Sequence, residues 1–252
     1  MLPLLALVSL SKLKNPGIAV LCYHDFQLVA KNDMTNTPKN FEAHMKWLKD
    51  HDYQTLSMDE LVAIMKGKMP EPRKAVVLSF DDGYEGVYKY AFPVLKQYGF
   101  KGVLFLVTSV MGDEAPPMPH LTWPQIVEMD SSNVIRAEVH AQRMHIKLGQ
   151  HLAEEEAKGL PSTDIEHDLA GAKHDIEQHT HRRVNYIAWP FGDYNTDLIH
   201  LAAKQGFYAM VDTEYGVNRP GDSVMKIKRL RLSSANDTLK RFEFKLGQYG
   251  LK

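Results

Sequence analysis

Short, nearly continuous apolar runs recur along the chain. They are Ile18–Tyr23, Lys74–Phe80, Gly102–Val107, the weaker Val134–Val139, Val184–Trp189, Phe207–Val211 and Ile227–Leu232. Runs of this length, rich in Val, Ile and Leu, predict strands buried on both faces, as in a parallel sheet. Between them lie stretches whose apolar residues return at helical spacing. Lys39–Asp52 carries Phe41, Met45 and Leu48; Met58–Lys66 carries Leu61, Ile64 and Met65; Thr163–Gln178 carries Ile165, Leu169, Ala172 and Ile176. Further helices are predicted over Glu85–Tyr98 before Gly99, from Thr122, over Leu152–Gly159, over Thr196–Gln205 before Gly206, and after a cap at Asn236 or Asp237. Glycine just past a helix and Ser/Thr/Asp/Asn just before one are the expected stop and start signals. Strand and helix alternate about seven times with no internal repeat or linker. The pattern predicts one α/β domain with parallel strands, either a barrel or doubly wound.

In such folds the carboxyl ends of the strands carry the chemistry. Here those ends are His24, Asp81-Asp82, His140 and Trp189-Pro190. The pair after Val76–Phe80 is followed by Gly83, which suits a sharp turn. An Asp-Asp-Gly sequence is equally at home in a plain turn or a helix start. If it is a site, two adjacent carboxylates can divide the work, one binding a cation and the other handling a proton. His140 and His145 stand five apart, a spacing that does not share a helical face but that a loop can fold onto one point. Two imidazoles and one carboxylate form a set that leaves coordination positions open to water and substrate, the pattern of a catalytic metal site.

Composition narrows the alternatives. At 252 residues, 44% hydrophobic and 24% charged, the chain is an ordinary globular one, and its net charge of -1 supplies no field to draw nucleic acid or an anionic membrane. The single cysteine, Cys22, excludes an intramolecular disulfide and a cysteine-based zinc knuckle. Met1–Leu10 is almost wholly apolar but too short to span a bilayer. It reads as an export-signal or anchor remnant, giving an apolar segment over 1–16 and a folded domain over 17–252. His174, His179 and His181 read as a solvated helix end, Glu154–Glu156 as a solvated helix face, the methionines as packing, and His120 receives no role.

Taken together, Ser79-Phe80-Asp81-Asp82-Gly83, His140-x4-His145 and Trp189-Pro190-Phe191-Gly192 resemble the motifs of the polysaccharide deacetylases, the NodB-like group or carbohydrate esterase family 4. The histidine spacing, the Trp-Pro-aromatic-Gly motif and the opening Val20-Leu21-Cys22-Tyr23-His24 resemble its poly-N-acetylglucosamine deacetylase branch. The resemblance spans about Ile18–Leu232 and implies a single-domain distorted (β/α)7 barrel, circularly permuted relative to the rest of the family. It implies a hydrolase that removes N-acetyl groups from a glycan of the cell envelope or biofilm matrix and is secreted, periplasmic or at the cell surface. Its partner is an N-acetylated polysaccharide or oligosaccharide, without nucleic acid, and with membrane contact only through an N-terminal anchor. Asp82, His140 and His145 would hold a divalent metal, zinc first, with cobalt or nickel as substitutes. Asp81 would be the base acting on a metal-bound water, His24 the acid for the departing amine, Phe191 an oxyanion donor through its backbone N–H, and Trp189 and Pro190 the walls of the sugar groove.

The chain departs from the family pattern in three places, the first being Arg136-Ala137-Glu138-Val139 in place of the family's Glu-Ile-Gly-Ser-like lead into His140. Ala141 stands where the family has Ser or Thr, and the arginine expected just before Trp189-Pro190 is absent. Arg229, on the last strand, is the expected replacement for orienting Asp81. An O-acetyl esterase acting on a xylan-like glycan and a weakly catalytic glycan-binding protein are the competing readings.

Overall fold

The computed structural model describes residues 16–29, 32–115, 117–159 and 163–252. The apolar Met1–Leu10 segment lies outside the described residues. Among the described residues, seven parallel strands close into a ring: β1 (Ala19–Tyr23), β5 (Ala75–Asp82), β6 (Gly102–Val107), β7 (Ile135–Ala141), β8 (Tyr186–Ala188), β9 (Ala209–Tyr215) and β10 (Ile227–Arg231). The ring shuts because β1 pairs with β10 on one edge, at Leu21 with Leu230, and with β5 on the other, from Ala19 with Val76 to Tyr23 with Phe80. Of the two architectures open to the sequence, the barrel is therefore the one formed. Two short elements lie beside it. β4 (Gln54–Thr55) extends the sheet along the start of β5, and β2 (Asp25–Phe26) pairs with β3 (Thr35–Asn36) outside the ring.

Alternation along the strands explains the apolar runs. Ala19, Leu21, Val76, Leu78, Phe80, Leu104 and Val139 pack outward with helix residues such as Phe41, Met45, Leu169 and Phe242. The intervening positions, Val20, Val77, Phe105, Ala188, Val211 and Ile227, cluster with Leu61, Ile64 and Met65 of α2 (Met58–Met65), which plugs the ring where the strands begin. Along these apolar runs both faces of the strands are thus removed from water, worth about 1.5–3 kcal/mol for each large apolar side chain fully buried. The other helices are α1 (Pro38–Asp50), α3 (Phe92–Tyr98), α4 (Trp123–Ser131), α5 (Leu148–Ala157), α6 (Thr163–Thr180), α7 (Thr196–Lys204) and α8 (Leu239–Gly247).

Several boundaries differ from the sequence expectation. The helix expected over Glu85–Tyr98 is a π-helical turn at Val87–Ala91 followed by α3. Pro93 has no N–H to return to the preceding turn, and the backbone widens there. α5 starts at Leu148 rather than Leu152, because Asp193 supplies acceptors to its first turn: its carbonyl to Gly149 N at 3.2 Å and its carboxylate to Gln150 N at 2.9 Å. α8 is capped at Thr238, not at Asn236 or Asp237. Asp237 is instead buried, holding Lys245 Nζ at 2.6 Å and Ser234 N at 3.1 Å. β9 runs on to Tyr215, past the expected end at Val211.

Candidate active site

The inward alternation that is apolar in the middle of the barrel becomes polar at the strands' carboxyl ends. On β1 and just beyond, Val20 gives way to Cys22 and His24; on β5, Val77 to Ser79 and Asp81; on β10, Ile227 to Arg229 and Arg231. With His140 from β7 and Thr213 and Tyr215 from β9, the polar residues Cys22, His24, Asp81, Arg229 and Arg231 line a cleft of about 390 Å³.

Asp82 should point outward by strand alternation, yet it lines the same cleft as Asp81. Its φ of 72° breaks the alternation at the end of β5 and turns both carboxylates to one side. This is an unfavourable conformation for a residue with a Cβ, of the kind that persists where surrounding structure enforces it. Gly83 continues the turn at φ 90°.

Around Asp82 the two histidines converge. Asp82 Oδ1 lies 3.4 Å from His140 Nε2 and 3.4 Å from His145 Nε2. His140 Nδ1 donates to the Ala188 carbonyl at 2.6 Å, which leaves Nε2 as a bare lone pair facing Asp82. Asp82 Oδ1 is buried and has no hydrogen-bond partner among the described residues. An orphaned carboxylate oxygen between two imidazole nitrogens is costly in a protein interior unless a cation completes it. The three ligand atoms lie within 4.8 Å of one another. Donor types, spacing and the orphaned oxygen all fit a divalent metal. Burial pushes the Asp82 carboxyl up to about 6 and holds both histidines below the ordinary imidazole value.

Asp81 is in a different setting. It is 1% exposed, and Arg229 Nη1 donates to its two oxygens at 2.8 and 2.7 Å. Burial alone would raise its pKa, but the charge and hydrogen bond of Arg229, together with His140 and His24, outweigh that and hold the carboxyl below the usual range. Arg229 is fixed in turn by donating through Nε to the Asp212 carbonyl at 2.7 Å. The arginine that meets Asp81 thus comes from β10, while none stands just before Trp189. His24 Nε2 stands 4.0 Å from Asp81 Oδ2, while Nδ1 is engaged by Ser233 Oγ at 2.6 Å. Burial pushes His24 down to about 3, so the imidazole is neutral at rest. Cys22 Sγ lies 3.7 Å from the same Asp81 oxygen, and burial pushes the thiol up to about 12.

The Trp-Pro-Phe-Gly segment forms one 3₁₀ turn at the cleft. Trp189 lines the wall, fully buried, with its Nε1 hydrogen lacking a partner among the described residues. Phe191 takes φ 58°, is 58% exposed and places its ring 4.9 Å from that of His145. Pro190 is buried and does not line the cleft; it fixes the turn rather than forming a groove wall. Gly192 follows at φ 66°, where a Cβ would stand 2.0 Å from Thr213 Oγ1. Gly192→Ala is expected to cost about 1–3 kcal/mol through overpacking and to displace the Phe191 turn. Thermal unfolding measures the first effect, and loss of turnover beyond the loss of folded protein measures the second.

Sequence reasoning brought Asp81, Asp82, His24, His140, His145, Trp189, Phe191 and Arg229 to this cleft. It missed Cys22, Ser233, Met34, Thr213, Tyr215 and Arg231. Extending the inward alternation along β9 and β10 would have found Thr213, Tyr215 and Arg231. Met34 arrives on the loop leading to β3, held by Arg231, which donates to the Asp33 carbonyl at 2.7 Å and contacts Met34 Sδ at 3.2 Å. Outside the cleft, His179 is not simply solvated: its ring stacks on Trp123 at 3.8 Å.

Comparison with known proteins follows the same lines. The polysaccharide deacetylase family profile matches residues 68–210, a stretch that contains Asp81, Asp82, His140 and His145 but neither His24 nor Arg229. YxkH of Bacillus subtilis (strain 168), itself grouped with the polysaccharide deacetylases, is 32% identical over 220 residues, covering 87% of this chain and 73% of that protein. The poly-beta-1,6-N-acetyl-D-glucosamine N-deacetylase of Staphylococcus aureus (strain MRSA252) is 28% identical over 195 residues, covering 77% of this chain and 66% of that one, just under two thirds of its length. Among solved structures, IcaB from Ammonifex degensii superposes with a TM-score of 0.79 at 22% identity, covering 94% of this chain and 97% of that one. The Streptococcus pyogenes deacetylase PplD gives 0.76 at 23% identity, covering 91% and 97%. At these identities the structural matches speak for the fold. The profile match over more than half of the chain, with the Bacillus relative, shows that the chain belongs to the polysaccharide deacetylase family.

Proposed function

We propose that the protein is a metal-dependent hydrolase that removes N-acetyl groups from an N-acetylglucosamine-containing polysaccharide outside the cell membrane. The observation that carries this reading is the pairing of two unlike carboxylates: Asp82, with its Oδ1 orphaned between His140 and His145, and Asp81, paired with Arg229. The likeness to the Staphylococcus aureus deacetylase supports the choice of glycan. No helix among the described residues is long and apolar enough to cross a membrane.

Asp82, His140 and His145 would hold the metal. When bound, a divalent ion there polarises the acetamide carbonyl and makes water a stronger acid. Asp81 accepts the proton that water loses on attacking the carbonyl carbon; Arg229 keeps it ionised and aimed for that task. The amide C–N bond then breaks, and the departing nitrogen takes up a proton. His24, neutral at rest and 4.0 Å from Asp81, carries that proton in passage from Asp81 to the amine. The Phe191 turn offers a backbone N–H to the developing oxyanion, and the Trp189 Nε1 hydrogen is available to a substrate oxygen.

The test is acetate release from N-acetylglucosamine oligomers by chelated protein, before and after adding zinc, cobalt or nickel. Chelated protein is expected to be silent, and one or more of the metals to restore release. Release from acetylated xylan alone would shift the reading to an O-acetyl esterase. Silence on both substrates with metal bound would leave a glycan-binding protein.

A further inference from the structure

The two candidate histidine ligands are held in different ways. The His140 side chain is 3% exposed, sits on β7 and is tied to the Ala188 carbonyl. The His145 side chain is 32% exposed and sits in the loop between β7 and α5. Its position depends on the backbone that leads to it.

That backbone rests on one carboxylate from another element. Asp168 lies on the buried face of α6, 6% exposed, beside Leu169. Its Oδ2 accepts the N–H of Gln142 at 2.9 Å, and its Oδ1 accepts those of Arg143 at 2.7 Å and Met144 at 2.9 Å. Three of the four residues between the histidines thus donate to Asp168. Hydrogen bonds from backbone N–H groups to an ionised acceptor are among the stronger ones available to a loop. The same helix gives Gln142 a second anchor, since its Nε2 donates to Asp175 Oδ2 at 3.0 Å. It also makes room for the loop at Gly171, where a Cβ would stand 2.5 Å from Gln142 Oε1. α6 is therefore shaped to seat this loop.

We infer that Asp168 is a positioning residue that preorganises the His145 arm and through it sets the affinity of the site for a divalent metal. Asp168 touches neither the candidate ligands' side chains nor any reacting atom; it acts through the loop backbone. The inference rests on the reading of Asp82, His140 and His145 as metal ligands. Without the Asp168 anchor the loop samples more conformations, and ligation must first order it. Loss of an outer partner of this kind costs about 10- to 100-fold in metal affinity.

The experiment measures zinc affinity of the full chain by competition with a chromophoric chelator. Asp168→Ala is expected to weaken zinc binding about 10- to 100-fold. Asp168→Asn should weaken it less, because the carboxamide oxygen still accepts part of the set, and it serves as the test if the alanine variant fails to fold. In a His145→Ala background, the Asp168 substitution should change zinc affinity by less than about twofold, because the arm it positions no longer carries a ligand. Wild-type affinity in both Asp168 variants would overturn the inference, as would an equal loss with and without His145. If the wild-type protein binds no zinc, or His145→Ala binds it unchanged, the metal-site reading fails instead, and the two failures are distinct.

Discussion

Asp81→Asn is expected to lower acetate release by about 100- to 10,000-fold while leaving metal content unchanged. Asparagine keeps the shape of the side chain and an oxygen for Arg229 but cannot accept a proton. The candidate ligands Asp82, His140 and His145 do not use Asp81, so metal analysis separates loss of the base from loss of the site. The substitution also leaves Arg229 buried opposite a neutral amide, so unfolding must be followed in parallel and rates normalised to folded protein. A folded, metal-replete Asp81→Asn protein with undiminished release would remove Asp81 from the role of base.

Arg229→Met is expected to destabilise the fold by about 3–5 kcal/mol at neutral pH, because it leaves Asp81 as an unpaired charge in the barrel interior. The pH dependence has a definite sign. In the wild type, burial raises the Asp81 pKa, but Arg229, with smaller contributions from His140 and His24, more than offsets it, so the folded value lies below the ordinary one. The pair's contribution is therefore present above the ordinary carboxylate pKa and lost as pH falls through the lowered folded value. Without Arg229 the largest opposing influence is gone and burial outweighs the smaller pull of His140 and His24, so the folded pKa is expected to rise above the unfolded one and the variant to lose stability as pH rises. The stability gap between wild type and variant should widen from acid toward neutral pH. Denaturant unfolding at several pH values measures it, and a gap independent of pH would mean that Arg229 stabilises by packing alone. The double change Asp81→Leu with Arg229→Met should recover much of the stability while abolishing turnover, since apolar groups of similar size replace a buried pair without leaving either charge exposed to a low dielectric.

How far the sequence reached can be argued from particular residues. Continuous apolar runs gave the strands because the barrel strands are buried on both faces over most of their length, outward against helices and inward against α2 and the barrel interior. The ligand candidates were legible because strand ends are where polar residues interrupt those runs. Arg229 was visible only as an arginine on a terminal strand. Its partnership with Asp81 spans 148 positions and exists because β1 closes the ring between β10 and β5. His24 reaches Asp81 because β1 adjoins β5: it lies 57 positions earlier in the chain, just past the end of β1.

Other features had no local signal. The early start of α5 depends on Asp193, and the seat for the His145 arm depends on Asp168, both remote in sequence from what they hold. Asp82 is legible as a carboxylate at a strand end, but the positive φ that turns it into the same cleft as Asp81 is not. The sequence by itself determined the alternation of elements, the residue types at the strand ends and, through the resemblance they carry, the family, because periodicity and local propensity are properties of neighbouring residues. Only the tertiary structure decided barrel over open sheet, which acid meets the arginine and which meets the histidines, and how the ligand loop is held. Those outcomes depend on ring closure and on hydrogen bonds between elements, which spacing along one chain does not encode.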